Sequence, residues 1–112
     1  MGTTRKDQLQ GSLDLLVLRT LASYREPLHG YAITDHIHRL SKDALRVEEG
    51  SLYPALHRMD EAGWIRSEWG VSENNRRARY YAITAAGRRR LARLEQEWSD
   101  HIKAVKRVLR PA

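Results

Sequence analysis

Cysteine is absent from this 112-residue chain, which excludes disulfides, thiolate metal sites and cysteine redox sensing within it. Long apolar runs are missing too: the leucine-rich stretch from Leu13 to Leu18 is interrupted by Asp14 and ended by Arg19. The opening segment MGTTRKDQLQ has no apolar signal core. Lys6 occupies the sixth position, where a myristoylation site on Gly2 would need Ser or Thr. Export, a lipid anchor and a membrane partner are therefore not expected, and the expected location is cytoplasmic.

The patterns of catalysis are also lacking. No serine sits in a Gly-x-Ser-x-Gly elbow, and neither a phosphate-binding loop nor a dinucleotide glycine pattern occurs. Asp60 and Glu61 are neighbours on a helical stretch and so diverge. His36 and His38 lie two apart on a helix and point in different directions, while His29, His57 and His101 are scattered. The expectation is a protein that is not an enzyme and uses neither metal nor cofactor.

What the chain does contain is charge of one sign and helical periodicity. It is 41% hydrophobic and 30% charged, in the range of a folded globular protein, and its length suits one domain. The formal charge is +6 and the pI near 10.1, a field that attracts nucleic acid or an acidic membrane surface.

Leu9, Leu13, Leu16 and Val17 form one stripe of a first helix over Leu9 to Leu21, with Leu15 and Leu18 on its other side. A second helix is predicted in HGYAITDHIHRLS and a weak extended piece at Ala44 to Glu49. A third helix, SLYPALHRMDEAG, puts Leu52, Leu56, Met59 and Gly63 on one side and Ser51, Pro54, His57, Arg58 and Glu61 outward. Pro54 fits because first-turn amides have no internal partner to lose. Strand-like runs Trp64 to Trp69 and Arg77 to Thr84 flank a polar loop, which gives a hairpin. Thr84 then caps a final helix from Ala85 to about Arg110. Leu91, Leu94, Trp98, His101, Val105 and Val108 recur along it, with Ile102 and Leu109 beside them. Such a stripe asks for a partner helix.

Helix, helix, short strand, helix, hairpin, helix is the order of a winged helix, in which the third helix reads the DNA major groove. The fold class expected is mainly α with a small β-hairpin: a winged helix-turn-helix over residues 1–84 and a long C-terminal dimerisation helix over 85–112. Between Arg66 and Arg90 stand seven arginines (Arg66, Arg76, Arg77, Arg79, Arg88, Arg89 and Arg90) against Glu68 and Glu73, so this window carries +5 of the net charge. Arginine suits bidentate bonding to phosphate.

Four ordered segments carry a resemblance: LHGYAI (28–33), GSLYPALHRM (50–59), SEWG (67–70) and NNRRARYYAIT (74–84). Together they resemble the PadR-like regulators, over a span from about Leu13 to Leu109. The resemblance implies a bacterial winged-helix homodimer that binds double-stranded DNA, usually as a repressor on a pseudo-palindromic operator. It implies DNA contacts by Tyr31, Ser51, Tyr53, Pro54 and His57, by the neighbouring Arg58, and by Asn75, Arg76, Arg77 and Arg79 of the hairpin. Met59-Asp60 stands where such proteins more often carry Leu-Glu, and Trp64 replaces an aliphatic residue; neither is expected at the DNA face.

The dimer interface is expected to use Leu13, Leu16, Val17, Leu91, Leu94, Trp98, Ile102, Val105 and Leu109. Trp98 matches a position where some multidrug-binding relatives stack a flat aromatic ligand, so a small planar aromatic effector is one reading, and packing against the partner's first helix is the other. Tyr81, alternating with Ile83, is expected to pack inward. A different class of function is a winged-helix protein-interaction module or a non-specific nucleic-acid binder.

Overall fold

Helix α1 (Arg5–Ala22) runs through the centre of the molecule. Val17, Leu18 and Leu21 are buried, and Leu13, Leu15 and Leu16 are half-buried around them, so this helix is covered on more than one face as its two stripes predict. The Thr20 hydroxyl is buried and donates to the Leu16 carbonyl at 2.7 Å. The computed structural model describes the backbone of residues 5–111 and the side chains of residues 12–111. The readings of Gly2, Lys6 and Leu9 lie outside these described side chains.

After α1 come β1 (Leu28–His29), α2 (Gly30–Leu40), α3 (Glu49–Glu61), β2 (Ile65–Val71), β3 (Arg77–Ile83) and α4 (Ala85–Leu109). The fold is a winged helix: four helices with a small antiparallel sheet in the order β1-β3-β2. Ile33 and Ile37 of α2, Leu52, Leu56 and Met59 of α3, Ile65, Tyr81, and Leu91 and Leu94 of α4 close the core over α1. Each such side chain gives about 1.5–3 kcal/mol on burial.

Local signals set the element ends. His29, in extended conformation, caps α2 by accepting the Ala32 amide at Nδ1, 3.2 Å away. Gly63, at φ 82°, ends α3: its amide reaches the Asp60 carbonyl and the Trp64 amide the Met59 carbonyl, both at 3.0 Å. This crossed pair of bonds needs a left-handed residue, which glycine supplies without strain. Thr84 caps α4 by accepting the Gly87 amide at 3.0 Å.

The structure corrects four expectations. The short strand is β1, before α2, and Ala44 to Glu49 forms no strand. β3 offers its free edge to Leu28 and His29, opposite Tyr81 and Tyr80, whereas Lys42 and Asp43, at φ 52° and 66°, turn the chain away before Leu45. Gly63 is exposed as the residue that stops α3, not part of its buried side. Val17, Leu91 and Leu94 have 0%, 5% and 6% of their surface exposed in the single chain. They are core residues with almost nothing left for a partner copy, because the first turns of α4 pack on α1. Arg58 turns inward and grips Asp14.

That last contact joins α1 to α3. The Arg58 Nη1 and Nη2 donate to the two Asp14 carboxylate oxygens at 2.9 and 2.7 Å. Asp14 is 3% exposed, and a carboxylate so deep is tolerable only when paired and hydrogen-bonded. The same bonds raise the Arg58 pKa above its ordinary value, against the effect of burial.

Asp14→Ala is therefore expected to destabilise the protein by about 2–3 kcal/mol, somewhat less than a fully buried pair, since the Arg58 side chain keeps 39% of its surface in water. Asp35→Ala, which breaks the exposed, solvent-screened pair with Arg39, is expected to cost far less. Urea denaturation at one protein concentration compares them, and equal losses would contradict the structural role given to Asp14.

Candidate nucleic-acid interface

The face of the hairpin is set by strand alternation. Pairing places Ile65 opposite Ile83, Ser67 opposite Tyr81, Trp69 opposite Arg79 and Val71 opposite Arg77. These residues share one face of the β2–β3 ribbon, because successive side chains on a strand point to opposite sides. The inner end of that face is core: Ile65 and Tyr81 are buried. Burial raises the Tyr81 pKa, so its phenol stays neutral. The outer end carries exposed Trp69, Arg77 and Arg79.

At the tip, Ser72 and Arg76 close the loop by an amide-to-carbonyl bond of 2.8 Å, and Asn75 takes φ 57°. Asparagine accepts this left-handed conformation more readily than most side chains. Arg76 follows at once and is exposed.

Across from the wing stand the starts of α2 and α3. Tyr31, 74% exposed, projects from the first turn of α2, and Tyr53, 46% exposed, from the first turns of α3. The Tyr53 ring lies over the α2 start, where a Cβ on residue 30 would come within 2.6 Å of its hydroxyl; only glycine leaves it this place. Between helices and wing runs a groove of about 830 Å³ whose walls include Tyr31, Tyr53, Trp69, Arg76, Arg77 and Arg79.

This groove is cationic on one wall and aromatic along its floor. The Arg77 guanidinium sits 4.4 Å from the Trp69 ring centroid and that of Arg79 5.3 Å. Both are within cation–π reach, and such stacking leaves the guanidinium edges free for an anion. On α3, Ser51, Tyr53, Pro54 and His57 are exposed, with His57 Nε2 2.8 Å from the Glu61 carboxylate one turn on. This is a short polar surface able to meet base edges.

Of the residues anticipated for DNA contact, Tyr31, Tyr53, Arg76, Arg77 and Arg79 line this groove, Asn75 is exposed at the hairpin tip, and Ser51, Pro54 and His57 occupy the exposed face of α3. Arg58 does not join them, since its guanidinium is committed to Asp14. Three contributors were not anticipated. Trp69 is the platform for two arginines; Ser67 accepts from Arg79 Nε at 2.9 Å; and Asp60 accepts from Ser67 at 2.8 Å. Asp60, expected to lie clear of the DNA face, is thus connected to it. Strand alternation relative to Arg77 and Arg79 is the signal that finds Ser67 and Trp69, but only once the hairpin register is known.

The remaining anticipated residues lie on α1 and α4. Leu13 and Leu16 are half-buried. Beyond Leu94 the last helix carries Trp98 at 47% exposure, Val105 at 39%, Val108 at 84% and Leu109 at 75%, with half-buried Ile102 among them. Among the described residues no three His, Asp or Glu side chains converge as a metal site, and no helix is long and apolar enough to cross a membrane.

Residues 17–93 match the profile of the transcriptional regulator PadR-like family. A transcriptional regulator of Mycobacterium tuberculosis is 41% identical over 61 residues, which are 54% of this chain and 53% of that protein. The solved structure of a transcriptional regulator from Clostridium thermocellum superposes with a TM-score of 0.81 at 27% identity, covering 93% of this chain and 99% of that one. A PadR family transcriptional regulator from Eggerthella lenta superposes with a TM-score of 0.74 at 30% identity, over 96% of this chain and 90% of that one.

Proposed function

The chain belongs to the PadR-like family of DNA-binding transcriptional regulators, which are not enzymes, and from that premise we propose that it is a bacterial, cytoplasmic repressor. It acts as a homodimer on a pseudo-palindromic operator. The observation that carries this reading is the groove: Tyr53 of α3 and Arg76, Arg77 and Arg79 of the wing line one concave surface. α3 enters the major groove and reads bases through Ser51, Tyr53, Pro54 and His57, while Asn75, Arg76, Arg77 and Arg79 hold the phosphate backbone.

Positioning and reading separate by experiment. Arg77→Ala is expected to weaken binding to every duplex and to lower the slope of log affinity against log salt by about 0.9, as for one lost phosphate contact. His57→Ala is expected to alter discrimination at particular base pairs by about 1–3 kcal/mol. Electrophoretic shifts on operator and random duplexes at fixed salt measure both. Binding without preference for any sequence would point instead to a non-specific nucleic-acid binder, and no binding at all to a protein-interaction module.

The dimer is supported by the stripe of exposed Trp98, Val105 and Leu109 with half-buried Ile102 on the outer half of α4. A two-fold copy covers this stripe with its own, with Leu13 and Leu16 of α1 alongside, and sets two α3 helices about 34–36 Å apart, one turn of DNA. Val105→Glu is expected to yield monomers in sedimentation analysis while the winged-helix core stays folded. A dimer of unchanged affinity would refute this interface.

Trp98 gives the same interface a second use: two copies near the axis form a sandwich for a flat aromatic effector. Stacking contributes about 0.5–1.5 kcal/mol per ring pair beyond burial. An effector that favours another crossing of the α4 helices releases the operator in proportion to its preference between the two states. In a protein with Trp64 and Trp69 replaced by phenylalanine, planar aromatic cations are expected to quench Trp98 emission. Unchanged emission and unchanged operator affinity would leave Trp98 as a packing residue.

A further inference from the structure

Asp60 on α3, Ser67 on β2 and Arg79 on β3 form one hydrogen-bonded line beneath the groove. Ser67 Oγ donates to Asp60 Oδ2 at 2.8 Å and accepts from Arg79 Nε at 2.9 Å. A hydroxyl has one proton to give. With the Asp60 carboxylate taking it, the lone pairs of Ser67 are left for Arg79, and an arginine can only donate. The line therefore runs in a single direction.

Its effect falls on a guanidinium. Ser67 engages Nε, and neither terminal nitrogen of Arg79 has a hydrogen-bond partner among the described residues. Trp69, the cross-strand neighbour of Arg79, lies against the same guanidinium, 5.3 Å from ring centroid to Cζ. One edge of the group is tied down, one face is supported, and the free edge is the one a phosphate needs. Arg77 shares the Trp69 ring at 4.4 Å but has no side-chain hydrogen bond among the described residues. An arginine free in solvent loses its rotamers on binding; Arg79 has already lost them on folding.

We propose that Asp60 and Ser67 are positioning residues for DNA binding, which touch no DNA themselves but aim Arg79 at the phosphate backbone and fix the wing to α3. This rests on the reading of Arg79 as a backbone contact. Because the contact is independent of sequence, a random DNA duplex at low salt is a sufficient probe.

Ser67→Ala is expected to weaken binding about tenfold, equivalent to about 1.4 kcal/mol, and to lower the salt slope as Arg79→Ala does. Ser67→Thr, which restores the hydroxyl, is expected to restore both. Asp60→Asn keeps an acceptor for Ser67 and is expected to keep the slope, whereas Asp60→Leu lowers it. The decisive measurement is Ser67→Ala in an Arg79→Ala background, where it is expected to have no further effect. A full additional loss there, or wild-type binding by Ser67→Ala alone, would overturn the positioning role. Wild-type binding and slope in Arg79→Ala would overturn the wing contact itself, a separate failure.

Discussion

The grip of Arg58 on Asp14 is the constraint on which the placement of α3 depends. α1 packs against α2, α3, α4 and β3, and the leucines along it bring these elements close without choosing their angles. Apolar contact is non-directional; a bidentate pair of hydrogen bonds between planar groups is not. Asp14 is near the middle of α1, and Arg58 is in the last turn of α3. The pair thus fixes the rotation of α3 about its own axis, and that rotation decides whether Ser51, Pro54 and His57 face outward. An apolar pair of similar volume would hold the helices at least as tightly while leaving that rotation to packing alone.

The wing is built on the same economy of one rigid surface serving two ends. β3 is the middle strand, flanked by β1 and β2, so its backbone is paired on both edges along its inner half. Tyr81 and Ile83 anchor it in the core, and on the same face Arg79 and Arg77 emerge, the outermost about 13 Å from Tyr81 at 3.3 Å per residue. Trp69 continues the apolar surface outward under both cations. The arginines are therefore mounted on an extension of the hydrophobic core, although they project from a hairpin.

Much of this was legible in the residues. Helical spacing located α2, α3 and α4, Thr84 marked the start of α4, and the run from Arg76 to Arg79 marked the wing. What periodicity cannot say is what covers an apolar stripe. Leu91 and Leu94 continue the line of Trp98 and Val105 without a break in the sequence, yet α1, more than sixty positions earlier, covers the first pair and leaves the second exposed. Arg58 follows the same logic: its position on the helix reads as outward, and the partner that turns it inward lies 44 residues away. The short strand was misplaced because β1 exists only by pairing with β3, a non-local event that a two-residue segment cannot announce. Ser67 stands in the SEWG segment and Asp60 beside a family departure, but that the two are bonded to each other and to Arg79 is a matter of hairpin register, which neither position announces.

A single junction joins α3, the wing and the last helix. The Thr84 amide donates to the Trp64 carbonyl at 3.1 Å, its hydroxyl donates to the Gly63 carbonyl at 2.6 Å, and the same oxygen accepts the Gly87 amide at 3.0 Å. The end of α3, the end of β3 and the start of α4 therefore meet within a few residues, and Thr84 alone separates β3 from α4. No flexible linker lies between the half of α4 that carries Trp98 and the elements that border the groove. In the proposed dimer, a change in how two α4 helices cross would have to be absorbed either by bending α4 or by moving α3 and the wing together. The direct bonds at Thr84, with the Asp60–Ser67–Arg79 line between α3 and the wing, favour movement as one body. Regulation by an effector at the α4 axis then requires no second domain, since the spacing of the two reading helices is set by the same helix that the effector would touch.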